Sequence, residues 1–204
     1  MPAAPVHFMR VLAYRPPKER VILFLDSGFA SFGLAAYSFR LKKFVCLDGI
    51  STKAENKKRH IYVSDDNARR CKEIAAWLRT ITGLFDCCAV FAELPSGGAR
   101  GAKPLAAMSM ATAITACVCE LLDLPLFSVS PTECKRVVGN GSISKEATQR
   151  FVLKRHGDLQ TRKSICLSQH PLLEHIADAM VILNVVEKNY RDLAHQLYGL
   201  KLLH

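Results

Sequence analysis

Apolar residues recur along this chain in two rhythms, which separate strands from helices. Val21-Ile22-Leu23-Phe24-Leu25 is an unbroken apolar run that stops at Asp26-Ser27-Gly28. A short run closed by turn residues predicts a strand buried on both faces. Residues 33–39 and 44–50 predict two further strands, and the short connections among the three predict an antiparallel meander. Over 64–82 the rhythm changes, with Cys71, Ile74, Ala75, Leu78 and Ile81 at helical spacing. Ser64 is placed to cap this helix, Asp65 and Asp66 suit its positive end, and Gly83 is placed to stop it.

Residues 87–92 predict another buried strand, ending at Glu93, and a glycine-rich loop over 94–103 follows. Pro104 sits in the favoured first turn of a long apolar helix reaching about Leu122. A fifth strand is expected over 126–129. Ser130-Pro131-Thr132-Glu133 then has the form of a capping box and starts a short helix that closes near Gly139. Residues 144–156 predict a helix closed by Gly157, and a last helix over 172–188 follows Pro171. This order predicts an α/β fold: a five-stranded mixed sheet flanked by helices, one domain over 21–204, preceded by an arm over 1–20.

Composition narrows the function. The chain has 204 residues, half of them hydrophobic, enough for one full core. No apolar run approaches the ~20 residues that span a bilayer, and the first residues lack a signal-peptide pattern, so a cytoplasmic protein with no membrane partner is expected. The net charge of +10, from 28 Lys and Arg against 18 Asp and Glu, favours a polyanionic partner. Lys53, Lys57, Lys58, Arg59 and His60 form a basic cluster. Eight cysteines contain no C-x-x-C pair. Cys87 and Cys88 on a strand point to opposite faces, and Cys117 and Cys119 diverge on a helix, so reduced thiols are expected rather than disulfides or a zinc site.

Three acidic positions stand out. Asp26 ends the first strand and Glu93 the fourth; if those strands are parallel neighbours, both carboxylates emerge at one sheet edge, where open α/β sheets bind ligands. Asp178 lies among apolar and small residues in the last helix, with His175 three and Glu174 four positions before it. Ionised acids on an apolar face are costly unless paired or held by a metal. Hard oxygen donors suit Mg²⁺, with Mn²⁺ able to substitute. Such a site could hydrolyse phosphodiesters, and His175 could be a ligand or an acid–base group. For each position a plainer role stands beside this one: a turn residue for Asp26, solvated side chains for Glu174 and His175, a lysine partner for Asp178.

These stretches resemble the RuvC-type Holliday junction resolvases of the RNase H-like (retroviral integrase) superfamily. The matching segments are VILFLDSGFASFG from Val21, AVFAE from Ala89, the small-residue helix with LPLFSV ending at Val129, PTECKRVVGNGSISKEATQ from Pro131, and HIADA from His175. The most specific feature is K-x-x-x-G-x-G-x-x-x-K followed by H-x-x-D-A. The resemblance implies that Asp26, Glu93, His175 and Asp178 are the catalytic metal ligands, and that Lys135 and Lys145 lie near the scissile backbone. It also implies Mg²⁺-dependent paired nicking of four-way or other branched DNA by a homodimer. Arg100, Lys103, Lys57 and Lys58 are added as candidate DNA contacts. Many bacterial members carry an aromatic residue shortly after the glutamate; the loop Leu94-Pro95-Ser96-Gly97-Gly98-Ala99-Arg100-Gly101 has none. A divergent or phage member is therefore expected.

Other functions fit parts of the same pattern. An RNase H-type or flap nuclease would share the acids, and an inert junction-binding protein would share the charge. A sugar-kinase or actin-like ATPase would need a duplicated domain, for which the chain is too short.

Overall fold

The computed structural model describes residues 17–55, 61–94, 101–139 and 143–200. Lys57, Lys58 and Arg100, and the expected arm as far as residue 16, lie outside them. Five strands form one sheet: β1 (Arg20–Ser27), β2 (Ser31–Ser38), β3 (Lys43–Ser51), β4 (Asp86–Glu93) and β5 (Leu126–Val129), in the order β3-β2-β1-β4-β5. The β1-β2-β3 meander is antiparallel, and β4 and β5 run parallel to β1. The sheet is thus mixed, as its element order predicts. β1 begins one residue inside the expected arm, and Glu19, just before it, is paired with Arg40.

Helices cover both faces. On one face lie α1 (Val63–Leu84) and α2 (Ala102–Leu121), packed on Val21, Leu23, Leu25, Val90 and Ala92. On the other lie α3 (Pro131–Val138), α4 (Lys145–His156), α5 (Leu173–Asn189) and α6 (Arg191–Leu200), over Ile22, Phe24, Ala89 and Phe91. Alternate residues of β1 thus feed two separate cores, which is why its sequence is apolar throughout. Cys87 and Cys88 fall in opposite cores, as their adjacency on a strand requires, and all eight cysteines are free thiols.

α5 is apolar around most of its circumference, and Ile176, Ala177, Ala179 and Met180 through Leu183 are buried. Such a helix belongs in the middle of a structure. It lies on β1 and β2 with α3, α4 and α6 around it. Asp48, fully buried on β3, accepts from Trp77 Nε1 at 3.1 Å and Arg162 Nε at 2.5 Å. That carboxylate joins α1 on one face to the segment before α5 on the other, around the edge strand.

Several expected boundaries shift. The N-cap of α1 is Tyr62, with no side-chain capping bond, so Ser64 lies inside the first turn rather than capping it. Gly83 sits within the last turn, and the helix ends one residue later. α6 was not expected at all. The Ser130 capping box, by contrast, is fully formed. α2 is long and apolar enough, by length and composition alone, to cross a bilayer, contrary to the sequence expectation. One face of it, with Ala111, Ile114 and Cys119, nevertheless lies in the core shared with α1.

Candidate active site

Asp26 and Glu93 are register partners across the parallel pair β1 and β4. Asp26 continues the face carrying Ile22 and Phe24, and Glu93 continues that of Ala89 and Phe91, so both carboxylates rise toward α5. Their backbones lie one strand spacing, about 4.8 Å, apart at the carboxyl ends of their strands. α5 brings the remaining groups. Gly33, the partner of Asp26 on β2, and Gly49, the partner of Gly33 on β3, leave a slot in which the first turn of α5 beds against the sheet. A Cβ at Gly49 would stand 2.9 Å from Leu172 Cδ1.

The slot places His175 over Asp26, with Nδ1 2.6 Å from Oδ2. Asp178 follows three residues later on the same helix surface. α3, fixed by its capping box immediately after β5, supplies Cys134 and Lys135. The Cys134 thiol lies beside the Glu93 carboxylate, which helps burial to push the thiol pKa up. α4 supplies Thr148 and Lys145, whose ammonium is paired with Glu174. Together these side chains line a cleft of about 410 Å³.

The electrostatics are those of carboxylates crowded in a half-dry pocket. Burial pushes the Asp178 carboxyl up to about 7, and the nearby charges of Asp26 and Glu93 add to it. Burial, and then Asp26, raises Glu93 in the same way. His175 is raised by its hydrogen bond to Asp26, against the opposing effect of burial. Among the described residues Asp178 forms no salt bridge, so the lysine partner considered for it is not found.

Three carboxylates and an imidazole around one cleft fit a hard divalent cation by donor chemistry, and their mutual repulsion is what a cation would relieve. Among the described residues, however, no three His, Cys, Asp or Glu side chains already stand as a metal cage. His175 instead holds one oxygen of Asp26, at 2.6 Å.

The sequence-expected residues divide clearly. Asp26, Glu93, His175, Asp178, Lys135 and Lys145 all line the cleft. Lys103 does not; it sits in the first turn of α2, on the opposite face of the sheet, lining a second groove with Phe29 and Arg70. Glu174 is also sorted: it turns to Lys145, while its neighbour His175 turns to Asp26. Sequence reasoning overlooked Cys134 and Thr148. Their only available signal is position, one residue before Lys135 and three after Lys145.

The mixed five-stranded sheet and its flanking helices define an RNase H-like fold with an acidic cleft at the sheet edge. No protein-family model matches the chain, and no curated protein matches it by sequence. Among solved structures it is similar to Thermus thermophilus RuvC, with a TM-score of 0.59 at 18% identity over 84% of this chain and 95% of that one. The T. thermophilus RuvC complex with Holliday junction substrate gives a TM-score of 0.59 at 17% identity, with the same coverage. The yeast mitochondrial Holliday junction resolvase Ydc2 gives 0.47 at 14%, over 90% of this chain and 86% of that one. The chain thus has the fold of RuvC.

Proposed function

We propose that this protein is a divalent-metal-dependent endonuclease that resolves four-way or otherwise branched DNA by paired phosphodiester hydrolysis. The observation that carries the reading is the in-register pairing of Asp26 with Glu93 beneath His175 and Asp178, flanked by Lys135 and Lys145. T. thermophilus RuvC, whose fold the chain shares, is described in complex with a Holliday junction substrate. The net charge of +10 suits a polyanionic substrate.

Asp26, Glu93, Asp178 and His175 would hold the cation, Mg²⁺ or Mn²⁺. Bound there, it would supply an activated water and neutralise charge on the phosphate. The chain's own residues do the rest. Lys135 and Lys145 offer ammonium groups to phosphate oxygens at the cleft mouth. Cys134 packs beside the Glu93 carboxylate in the cleft. Thr148 and Val181, both buried, line the cleft beside them. Two symmetric nicks require two such sites about a two-fold axis, hence a homodimer. The eight free thiols suit a reducing, cytoplasmic compartment.

The test is cleavage of end-labelled four-way junction, flap and RNA–DNA hybrid substrates with Mg²⁺, with Mn²⁺ and with EDTA. Paired nicks on the junction that EDTA abolishes are expected. Preferential cutting of hybrid or flap would replace the junction reading with an RNase H-type or flap nuclease. Tight junction binding with no cleavage under any metal would make the protein an inert junction binder.

A further inference from the structure

Lys145 and Glu174 meet across the mouth of the cleft, from the first turns of α4 and α5. Lys145 is the first residue of α4, so its positive charge sits at the positive end of its own helix. Glu146 in the same turn is one anion there, and Glu174, reaching across from α5, is the one paired with the ammonium. The side chain of Lys145 is 69% exposed and that of Glu174 34%, so the pair sits at the edge of the cleft, where an incoming strand could displace it. Glu174 approaches none of the carboxylates at the centre closely enough to bond; its partner is the lysine. The carboxylate therefore occupies the seat that a phosphate oxygen would take on Lys145.

We infer that Glu174 is an acidic latch on Lys145: it stands in for a backbone phosphate in the free protein and must release the lysine when DNA enters the cleft. This rests on the nuclease reading above and adds a residue that sets how readily DNA is admitted. Exposed ion pairs contribute roughly 0.2–1 kcal/mol. Releasing the pair therefore weakens DNA binding by a modest factor, while discouraging phosphates that reach the cleft mouth without seating fully.

The experiment is a double-mutant cycle on junction affinity, with Glu174→Gln, Lys145→Gln and both together, at fixed salt. Glu174→Gln alone is expected to tighten binding about two- to five-fold, the upper part of the range that an exposed pair of this kind spans. In the Lys145→Gln background the same change should have almost no effect, because no lysine remains to be released. An equal gain in both backgrounds would reduce Glu174 to a general negative charge near DNA and overturn the latch. Unchanged or weaker binding in Glu174→Gln alone would overturn it too. In the free protein, acylation of the Lys145 amine, read by peptide mapping, should be faster in Glu174→Gln than in wild type; equal rates would also overturn the latch. If wild-type protein binds no DNA, branched or linear, the nuclease reading fails and the latch with it. DNA binding with equal gains in both backgrounds sinks the latch alone.

Discussion

Gly33 lies directly beneath the main chain of His175: a Cβ on Gly33 would overlap the His175 carbonyl and stand 2.8 Å from Ile176 N. Because Gly33 is also the β-sheet partner of Asp26, this close approach sets the height of His175 over that carboxylate. The obstacle is backbone, which cannot rotate away as a side chain can. Gly33→Ala should therefore push the first turn of α5 off the sheet, lower Tm by several degrees and cost most of the nuclease activity. Thermal unfolding and cleavage assays check this; wild-type values in both would show that α5 does not depend on the slot.

Asp26→Asn and Glu93→Gln should each abolish cleavage while leaving junction binding within a few-fold. The amides keep shape but lose the charge needed to hold a cation, whereas the proposed phosphate contacts, Lys135 and Lys145, are left untouched. Because carboxylates sharing a half-dry pocket repel, Glu93→Gln should raise stability slightly, whereas Asp26→Asn sets the same relief against the loss of its charge-assisted bond to His175. Nicking at the wild-type rate by either variant would remove these residues from the site.

The strand ends that carry Asp26 and Glu93 are legible in sequence because each interrupts an apolar run, and strand alternation then fixes the face each carboxylate takes. Asp178 is legible because an acid among apolar helix residues calls for an explanation. The Ser130 capping box is purely local chemistry and reads correctly for the same reason. What fails depends on packing between distant segments. α6 was missed although Leu193, Ala194, Leu197 and Tyr198 repeat at helical spacing and pack on the core under α5; no glycine or proline separates it from α5 to mark a new element. Lys103 could be assigned to a face only once α2 was seen to dock beside α1. Likewise, nothing in the spacing of Glu174 and His175 tells which turns to Asp26 and which to Lys145, a choice made by the seating of α5 on the sheet and of α4 beside it.

Asp178 predicts how stability varies with pH when no divalent cation is added. Its folded carboxyl is raised to about 7 from the ordinary 3.8, so between those values the folded chain holds a proton that the unfolded chain releases. Asp178 should therefore add stability as pH falls from above 7 toward 4; the raised His175 and Glu93 act in the same direction, and His156 and His170, lowered by burial, oppose it. At lower pH, Glu19, Asp66 and Glu133 reverse the trend: their hydrogen bonds to Arg40, Arg69 and Ser130 hold them below the usual range, and that stabilisation is lost as they protonate. Asp178→Asn should flatten the slope above pH 4 and raise Tm at pH 8. Melting curves across pH in EDTA decide the matter; an unchanged slope in the variant would remove Asp178 as its source.

The homodimer proposed for paired nicking has a candidate surface in α2, where Leu105 and Leu121 are exposed and a groove against α1 is lined by Ala75, Ala76, Val118 and Leu122. Sedimentation at micromolar concentration should give a dimer, and Leu121→Glu should shift it toward monomer without changing the circular dichroism spectrum. A monomeric wild type, with and without junction, would sink the symmetric-nicking scheme.

His175 and Glu174 compete in sequence for the role of fourth cation ligand, and their partners separate them. His175 faces Asp26 from inside the cleft, whereas Glu174 faces Lys145 at its mouth. To serve as a ligand the imidazole must be neutral, so protons and cation compete for it. The hydrogen bond to Asp26 raises the His175 pKa above its ordinary 6.5, which moves that competition to higher pH. Cleavage by the wild type should therefore fall on acidification from above that value, earlier than carboxylates alone would require. His175→Asp should keep substantial activity and shift the acid limb lower, because its carboxylate loses its proton at lower pH. His175→Ala should cost about 10²-fold or more at every pH, within the range expected for losing a positioned acid–base or ligand group. pH–rate profiles of the three proteins at saturating Mg²⁺ provide the comparison. If His175→Ala follows the wild type throughout, the histidine takes no part in the chemistry and Asp26, Glu93 and Asp178 must hold the cation alone.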